Sequence, residues 1–158
     1  LVVCAGVNSR ELAKTIGDNL PIYPVKGYSI TIHNPEVAPW TSMLDDGAKI
    51  VTSRLGEDRL RVAGTAELNG YNTDIIQRRI RPLIRWSEKM FPGINTEYIT
   101  PWAGLRPMTP YMMPIVKKSK RNDNIYYNTG HGHLGWTLSA YTAQKIAEQI
   151  TESSYAQK

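Results

Sequence analysis

A glycine-rich segment near the end of the chain is the part of the sequence most suited to hold a ligand. It runs from Asn128 to Trp136 (Asn-Thr-Gly-His-Gly-His-Leu-Gly-Trp), between a predicted strand and a predicted helix. Glycines let a ligand approach the backbone, and a helix start offers free N–H groups and a positive dipole end. The spacing is neither that of a P-loop nor that of a GxGxxG fingerprint. An anionic or electron-rich ligand and a glycine turn without a ligand therefore remain equally open.

Metal and hydrolase chemistry are both poorly supported. His131 and His133 are two residues apart, but a zinc site needs further ligands, and the segment contains no cysteine or carboxylate. Histidines of a loop, packed or solvated, are the favoured interpretation. A Ser-His-Asp hydrolase would need a marked serine, and the GxSxG elbow is absent from the sequence.

A second segment places one arginine among prolines. Arg106 lies in Pro101–Pro110 (Pro-Trp-Ala-Gly-Leu-Arg-Pro-Met-Thr-Pro), where its neighbours are apolar. An unpaired guanidinium would be costly there, so we expect a carboxylate partner, which arginine can bind through two hydrogen bonds. A structural salt bridge is somewhat favoured over a ligand carboxylate on the pattern alone.

A third segment, Tyr23–Tyr28 (Tyr-Pro-Val-Lys-Gly-Tyr), contains a glycine within a predicted strand. Gly27 indicates a β-bulge or a close ligand approach. Tyr28 could offer its hydroxyl to a pocket, but a core aromatic beside a bulge is the favoured alternative.

The elements that would position these segments begin with an apolar run, Leu1–Gly6, which predicts a buried parallel strand in mid-sheet. A buried strand needs neighbours on both sides, so we expect part of the protein to lie upstream. Ser9 as N-cap and Gly17 as C′ residue predict a two-turn helix over 10–16. Strands are predicted over residues 22–32, 42–44, 49–55, 59–65, 98–102 and 125–128, the middle ones as an antiparallel meander.

Two longer helices complete the prediction. The first runs over 74–90 after an Asn72-Thr73-Asp74 cap, and Pro82 is expected to kink it or to split it. The second runs over about 136–150, with Ala143, Ile146, Ala147 and Ile150 facing inward. The order of elements predicts an α+β fold in which an antiparallel-sheet domain, residues 21–100, is inserted into a βα domain made of residues 1–20 and 101–158.

Composition excludes several classes of protein. The 158 residues are 41% hydrophobic and 21% charged, which excludes collagen-like, coiled-coil and disordered chains. The one cysteine, Cys4, cannot form an internal disulfide and is compatible with a reducing compartment. The net charge of +5 arises from scattered residues with clusters at 78–85 and 117–121. Generic solvated surface is favoured for both clusters, and no pattern for nucleic acid is present.

Five segments in this order resemble a known family. They are Val3–Gly6, Tyr23–Ser29, Arg61–Glu67 (Arg-Val-Ala-Gly-Thr-Ala-Glu), Trp102–Pro110 and Asn128–Thr137. Together they resemble the C-terminal part of an FAD-dependent D-amino acid dehydrogenase, within the glycine oxidase and D-amino acid oxidase superfamily. The resemblance covers residues 1 to about 150, and Gly-Leu-Arg-Pro and Asn-Thr-Gly-His-Gly are its most specific motifs.

The resemblance implies a flavoenzyme with an incomplete Rossmann-like FAD-binding domain and an antiparallel-sheet substrate domain. It implies that Arg106 binds the substrate carboxylate and that Tyr28 lines the substrate pocket. For FAD it implies contacts from Ala5, Gly6, Gly64, Thr65, Gly130, His131, Gly132, Leu134 and Gly135. The family's FAD fingerprint lies on an N-terminal strand that this sequence lacks, so the missing FAD-binding half is an expected partner.

The implied reaction transfers a hydride from the α-carbon of a D-amino acid to FAD and yields a 2-oxo acid and ammonia. A quinone or other respiratory carrier is the implied electron acceptor, and the implied location is cytoplasmic or peripheral at the inner face of the cytoplasmic membrane. Two segments depart from the family: Tyr111–Pro114 replaces an Asp-Gly followed by Pro, and Ala140–Thr142 replaces Gly-Ser-Gly. They leave open a non-enzymatic remnant or binding module that does not hold flavin.

Overall fold

The computed structural model describes residues 1–155 as a mixed α+β fold with an antiparallel sheet, which confirms the predicted fold class at that level. Its helices are α1 Ser9–Thr15, α2 Gln77–Met90 and α3 Gly135–Tyr155. Its strands are β1 Val2–Val3, β2 Tyr23–His33, β3 Met43–Asp45, β4 Ile50–Arg54, β5 Arg59–Glu67, β6 Ile99–Met108, β7 Ile115–Lys118 and β8 Tyr126–Thr129.

The chain divides into two compact units. The central unit is Lys26–Leu105, and the discontinuous unit is Leu1–Val25 together with the chain from Arg106 onward. The division falls within β2 and β6. Which unit binds a cofactor and which a substrate stays a prediction.

The central unit is built on the predicted meander. Its sheet has the strand order β3-β4-β5-β2-β6, and β3, β4 and β5 pair in antiparallel fashion through consecutive turns. Alternation along β2 and β5 sends Tyr28, Ile30, Leu60 and Val62 to one face, where α2 adds Ile80 and Leu83 to the core. The opposite face of the sheet carries polar residues and is not covered by this helix.

A β-bulge lies beside Gly27, as the sequence predicted. Lys26 pairs with Glu67 and Tyr28 pairs with Gly64, so the two residues Thr65 and Ala66 of β5 oppose Gly27 alone. The extra residue is therefore on β5, and Thr65 has a left-handed φ of 64°. A β-branched residue rarely adopts that conformation, which stores strain at this point.

Strand β6 is longer than predicted and passes through Pro101 and Pro107. Proline cannot donate a ladder hydrogen bond and is tolerated on an edge strand. The strand order places β6 at the end of the sheet, which explains why two prolines do not break it.

Helix α2 begins three residues later than the predicted Asp74. The Asn72 side chain accepts a hydrogen bond from the Asp74 N–H at 3.1 Å, and the Asp74 carbonyl accepts one from Lys26 Nζ at 3.0 Å. These two bonds, one local and one from a residue distant in sequence, hold the chain before Ile76, which has a β-region conformation. The polar triplet thus forms a turn before the helix instead of its cap.

The discontinuous unit contains a second sheet, of order β1-β8-β7, and a small core of Ala13, Leu20, Ile22 and Tyr127. Strand β1 is parallel, as predicted, and its partner is β8. Within the described residues β1 forms one end of the sheet and Leu1 is 78% exposed, so the mid-sheet position, which needs a neighbour from upstream, stays a prediction. Helix α1 ends before Gly17, which has a φ of 83° as a C′ glycine should.

The buried face of helix α3 agrees only in part with the prediction, because Ile146 is buried and Ile150 is half-buried as expected. Thr142 and Ile146 are buried, whereas Ala143 and Ala147 are exposed. Gln149 donates to the carbonyl of Val116 in β7 at 3.2 Å. The inward stripe therefore keeps Ile146 and adds the polar Thr142 and Gln149, whose side chains make hydrogen bonds there.

Within the described residues, no helix is long and apolar enough to cross a membrane.

Candidate functional site

In the discontinuous unit, side-chain hydrogen bonds join the end of β1 to the end of β8. The hydroxyl of Ser9 accepts a hydrogen bond from the Ala5 N–H at 3.0 Å. The Thr129 hydroxyl lies 2.8 Å from Ser9 Oγ and 3.2 Å from the Gly6 carbonyl oxygen. Two of the segments predicted to contact FAD, Ala5–Gly6 and the loop after Thr129, are therefore neighbours. Ser9, expected only to cap α1, makes this connection.

The glycine loop is also seated against the end of β6. The Gly132 N–H donates to the Pro107 carbonyl at 3.0 Å. Gly130 and Gly132 have φ values of 75° and 57°. A Cβ added at Gly130 would lie 2.8 Å from Thr109 Cγ2, and one at Gly132 would lie 2.8 Å from Met108 Sδ. Conformation thus favours glycine at both positions, and at Gly130 the short Thr109 side chain adds a steric requirement, whereas the flexible Met108 side chain beside Gly132 can move.

The rest of the loop leads into α3. The Leu134 N–H donates to the His131 carbonyl at 3.0 Å, and Gly135 is the first residue of the helix. His131 Nε2 lies 3.1 Å from Thr142 Oγ1, about two turns into α3. Burial lowers the pKa of His131 from its ordinary value, so its imidazole is neutral at neutral pH.

An acceptor that the sequence analysis did not single out precedes the loop. Asn128 Oδ1 is buried and has no hydrogen-bond partner among the described residues. An orphaned buried acceptor is costly unless something donates to it. A glycine loop, a helix start and an unused acceptor in one segment fit a planar ligand that carries both acceptor and donor groups, as a flavin ring does. A buried side chain with no partner could not have been found from the sequence.

Arg106 lies within β6, partly buried and three residues before Thr109. The sequence predicts a strand only up to residue 102, and the structure continues it through Arg106. Arg106 therefore belongs to the same unit as the glycine loop, and the strand that carries it is bonded to that loop through Pro107. Its role as a carboxylate ligand stays a prediction.

Tyr28 lies in the central unit and is only 1% exposed. Its hydroxyl donates to Glu67 Oε2 at 2.6 Å, and Glu67 also pairs with Lys26 Nζ at 3.2 Å and with Arg79 Nε at 3.3 Å. The Tyr28 hydrogen bond is the main cause that lowers the pKa of Glu67. This placement supports the alternative of a core aromatic beside a bulge, and a substrate-pocket role stays a prediction.

Gly64 and Thr65 lie side by side in β5 of the central unit. A Cβ at Gly64 would lie 2.9 Å from Ile50 Cγ1 and 3.2 Å from Leu83 Cδ2. Core packing is thus enough to require glycine there. Thr65 adopts the strained conformation described above, and such strain is often found at functional sites. A flavin contact by either residue stays a prediction.

At the two departures from the family pattern, most of the bulkier side chains are exposed in the described residues. Met112, where the family pattern has glycine, has a left-handed φ of 56°. Tyr111 beside it is 88% exposed, so its bulk points to solvent within the discontinuous unit. In α3, Thr142 is buried against His131, and Tyr141 is 60% exposed.

The described residues contain no group of three or more His, Cys, Asp and Glu side chains placed to hold a metal ion.

Comparison with known proteins identifies the family. The family described as FAD dependent oxidoreductase, DAO, matches residues 1–149. The chain belongs to this family. The resemblance expected from the five sequence segments is thereby confirmed. Solved structures share the fold. Glycine oxidase from Bacillus cereus matches 96% of this chain and 42% of its own chain, with a TM-score of 0.81 at 21% identity. Iminodiacetate oxidase from Chelativorans matches 96% of this chain and 42% of its own chain, with a TM-score of 0.84 at 22% identity.

Curated relatives of this DAO-family chain are similar over nearly its whole length. D-amino acid dehydrogenase 3 of Mesorhizobium japonicum is 62% identical over 95% of the chain and 37% of that protein. D-amino acid dehydrogenase of Dechloromonas aromatica is 44% identical over 95% of the chain and 36% of that protein. The chain thus spans little more than a third of the length of these relatives.

Proposed function

We propose that this chain is the C-terminal part of a flavin-dependent oxidoreductase that oxidises D-amino acids to 2-oxo acids and ammonia. The observation that carries the proposal is the convergence, in the discontinuous unit, of Ala5–Gly6, Pro107–Thr109 and Gly130–Gly132. These are parts of three separate sequence segments that resemble the FAD-dependent D-amino acid dehydrogenases. The name of the Mesorhizobium relative supports the substrate class.

The residues that would hold FAD in this proposal are mainly backbone groups. Gly130, Gly132 and Gly135, with His131 and Leu134, would lie along the ring, and Asn128 Oδ1 would accept a hydrogen bond that it otherwise lacks. The first N–H groups of α3 offer a positive dipole end to an oxygen of the ring. Ala5 and Gly6 would approach the phosphates, and Gly64 and Thr65 would pass beside the ring. FAD, when bound, supplies the acceptor for a hydride from the substrate α-carbon.

In this proposal Arg106 binds the substrate carboxylate and thereby orients the substrate. A guanidinium can bind a carboxylate through two parallel hydrogen bonds, which fixes the direction of the α-carbon. This positioning is the main contribution the protein makes to a hydride transfer. No side chain has to accept or donate a proton, and a neutral His131 is compatible with that.

The proposal extends to domains and partners. Residues 1–20 and 101–158 would complete an FAD-binding domain with the N-terminal half of the full-length protein, and residues 21–100 would cover the substrate. A quinone or other respiratory carrier would reoxidise the flavin. The proposed location is cytoplasmic or peripheral at the inner face of the cytoplasmic membrane.

A second candidate function is a binding module of the same fold that does not hold flavin. The observation that favours it is the Ala140-Tyr141-Thr142 sequence in α3, which replaces a small-residue pattern by bulkier side chains. Flavin absorbance of the purified full-length protein separates the two functions. A colourless protein that stays colourless after incubation with FAD would favour the binding module.

Substitution of Arg106 in the full-length protein tests the proposed role. Arg106→Lys keeps the charge and loses the two-pronged geometry, and Arg106→Ala loses both. A charge-assisted hydrogen bond contributes about 1.5–3 kcal/mol, so losing one should lower kcat/KM for D-amino acids about ten- to hundredfold, and losing two should lower it further. Steady-state kinetics, normalised to bound flavin, measures this.

The control is Arg85→Ala, which removes the same charge from an exposed position of α2. We expect Arg85→Ala to keep normal kinetics and both Arg106 variants to keep normal flavin content. If Arg106→Ala lowers the melting temperature and the flavin content but leaves turnover per flavin unchanged, Arg106 is a structural salt-bridge residue and the proposed role is wrong.

A further inference from the structure

The polar face of the central sheet carries a pocket that no residue of the proposed flavin site uses. It has a volume of about 460 Å³ and is lined by Ser29, Thr31, Leu55, Arg61, Thr100 and Trp102. Every lining residue belongs to the central unit. Thr31 and Arg61 are directly opposed across β2 and β5, and Thr100 and Trp102 lie two residues apart in β6. The residues thus share the face opposite the apolar core.

The floor of this pocket is built by close packing. A Cβ at Gly104 would overlap the six-membered ring of Trp102, so the indole can lie across the strand only because residue 104 is glycine. The Arg61 guanidinium carbon lies 5.3 Å from the centre of the Trp102 ring, within the range of a cation–π contact. Trp102 is nevertheless 53% exposed. The pair therefore forms a surface with a charge at one side and an apolar plane at the other.

A second arginine–tryptophan pair in the same unit shows what a fully engaged guanidinium looks like. Arg54 lies 3.9 Å from the centre of the Trp40 ring. It also donates to three backbone carbonyls, those of Gly56 at 3.2 Å, Glu57 at 2.9 Å and Ala38 at 3.3 Å. Arg61 has no comparable hydrogen bond and no ion pair with a carboxylate of the described residues. Its five N–H donors are thus available to a ligand.

We propose that the Arg61–Trp102 pocket binds a small carboxylate ligand whose hydrocarbon or aromatic part lies on the Trp102 indole. The guanidinium supplies the geometry that a carboxylate prefers, and no acidic side chain lines the pocket to compete with it. The hydroxyls of Thr31 and Thr100 add further polar groups at the rim, although Thr100 Oγ1 also lies 2.8 Å from His33 Nε2. Arg106 is not among the residues that line this pocket, and the inference stands whether or not the full-length protein oxidises amino acids.

Nuclear magnetic resonance of the 158-residue chain provides the test, with 3-phenylpropanoate as the probe and uncharged 3-phenylpropanamide as its matched analogue. The chain has four tryptophans, and Trp102→Phe assigns the indole N–H signal of Trp102. We expect 3-phenylpropanoate to shift this signal saturably, with at least tenfold tighter binding than the amide. Arg61→Gln should remove that preference, and Arg61→Lys should retain part of it.

The control is Arg59→Gln, on the same face of β5 but paired with Asp58 at 3.5 Å and outside the pocket lining. It should leave carboxylate binding unchanged, and the dispersion of the spectrum shows that each variant is folded. The inference is overturned if the wild-type chain binds acid and amide equally, if it binds neither, or if Arg59→Gln weakens acid binding as much as Arg61→Gln. If Arg61→Gln does not fold and Arg61→Lys does, the lysine variant decides. An undiminished preference of Arg61→Lys for the acid, together with no shift of the Trp102 signal, would also refute the inference.

Discussion

The Gly130→Ala substitution tests the geometry of the glycine loop most sharply. Gly130 has a φ of 75°, and a left-handed conformation costs a non-glycine residue about 1–2 kcal/mol. The new methyl group would also lie 2.8 Å from Thr109 Cγ2. Overpacking of this kind costs about 1–3 kcal/mol. The free energy of unfolding should therefore fall by about 2–5 kcal/mol.

Gly6→Ala is the matched control. Gly6 also has a positive φ, 55°, but no atom lies within 4 Å of an added Cβ. Only the conformational cost of about 1–2 kcal/mol applies, so the difference between the two variants isolates the steric contact. Urea unfolding followed by circular dichroism gives both values.

Thr109→Ser in the Gly130→Ala background provides a rescue. It removes the Cγ2 methyl and keeps the hydroxyl that donates to the Met113 carbonyl at 2.8 Å. The double-mutant cycle should show a favourable coupling of about 1 kcal/mol or more. Equal losses for Gly130→Ala and Gly6→Ala, together with no coupling to Thr109, would refute the proposed packing of the loop on β6.

Three further predictions follow from single contacts. Met112→Gly should raise the free energy of unfolding by up to about 1 kcal/mol, because glycine relieves the left-handed φ of 56°; a loss of stability in urea unfolding would contradict this. Tyr28→Phe should raise the pKa of Glu67 toward its ordinary value, because the Tyr28 hydroxyl is the main cause of its lowering; carbon-13 titration of the carboxyl would show no change if the hydrogen bond were absent. Asp18 accepts hydrogen bonds from Ser119 and from Tyr127, the latter at 2.8 Å, and the Ser119 bond is the main cause that lowers the pKa of Asp18 from 3.8. The ionised Asp18 therefore stabilises the fold above pH 3.8, and this contribution is lost as the pH falls through the lower folded-state pKa. The fall in unfolding free energy between about pH 5 and about pH 3 should therefore be smaller in Asp18→Asn than in the wild type, and equal slopes would contradict it.

Elements with strong local signals could be predicted from the sequence. The meander over β3, β4 and β5 follows from alternation and turn residues, and Gly17 marks the end of α1. The bulge at Gly27 was located correctly, but the strand that carries the extra residue depends on register, which one strand alone does not determine. The start of α2 was misplaced because Lys26, far away in sequence, binds the Asp74 carbonyl.

The candidate site shows the same limit. Residue types and order were sufficient to single out the glycine loop and Arg106, since both have unusual local composition. Long-range contacts have no sequence signature, and they include the packing of the loop on Pro107, Met108 and Thr109 and the link through Ser9. The unpartnered Asn128 acceptor likewise depends on its folded surroundings. In helix α3 the apolar spacing predicted Ala143 and Ala147 to face inward. The inward positions of Thr142 and Gln149 could not be predicted, because their hydrogen-bond partners lie on other elements.

Anaerobic titration of the full-length protein with a D-amino acid tests whether the protein oxidises D-amino acids through bound FAD. We expect the purified protein to show the absorbance of bound FAD, and we expect a D-amino acid, but not the L-enantiomer, to bleach it. Arg106→Ala should keep the FAD absorbance but require at least about tenfold more D-amino acid for half-bleaching, since a charge-assisted hydrogen bond to the carboxylate is lost. A protein that binds FAD but is not reduced by any D-amino acid, or one that Arg106→Ala leaves equally reducible, would contradict the proposed function.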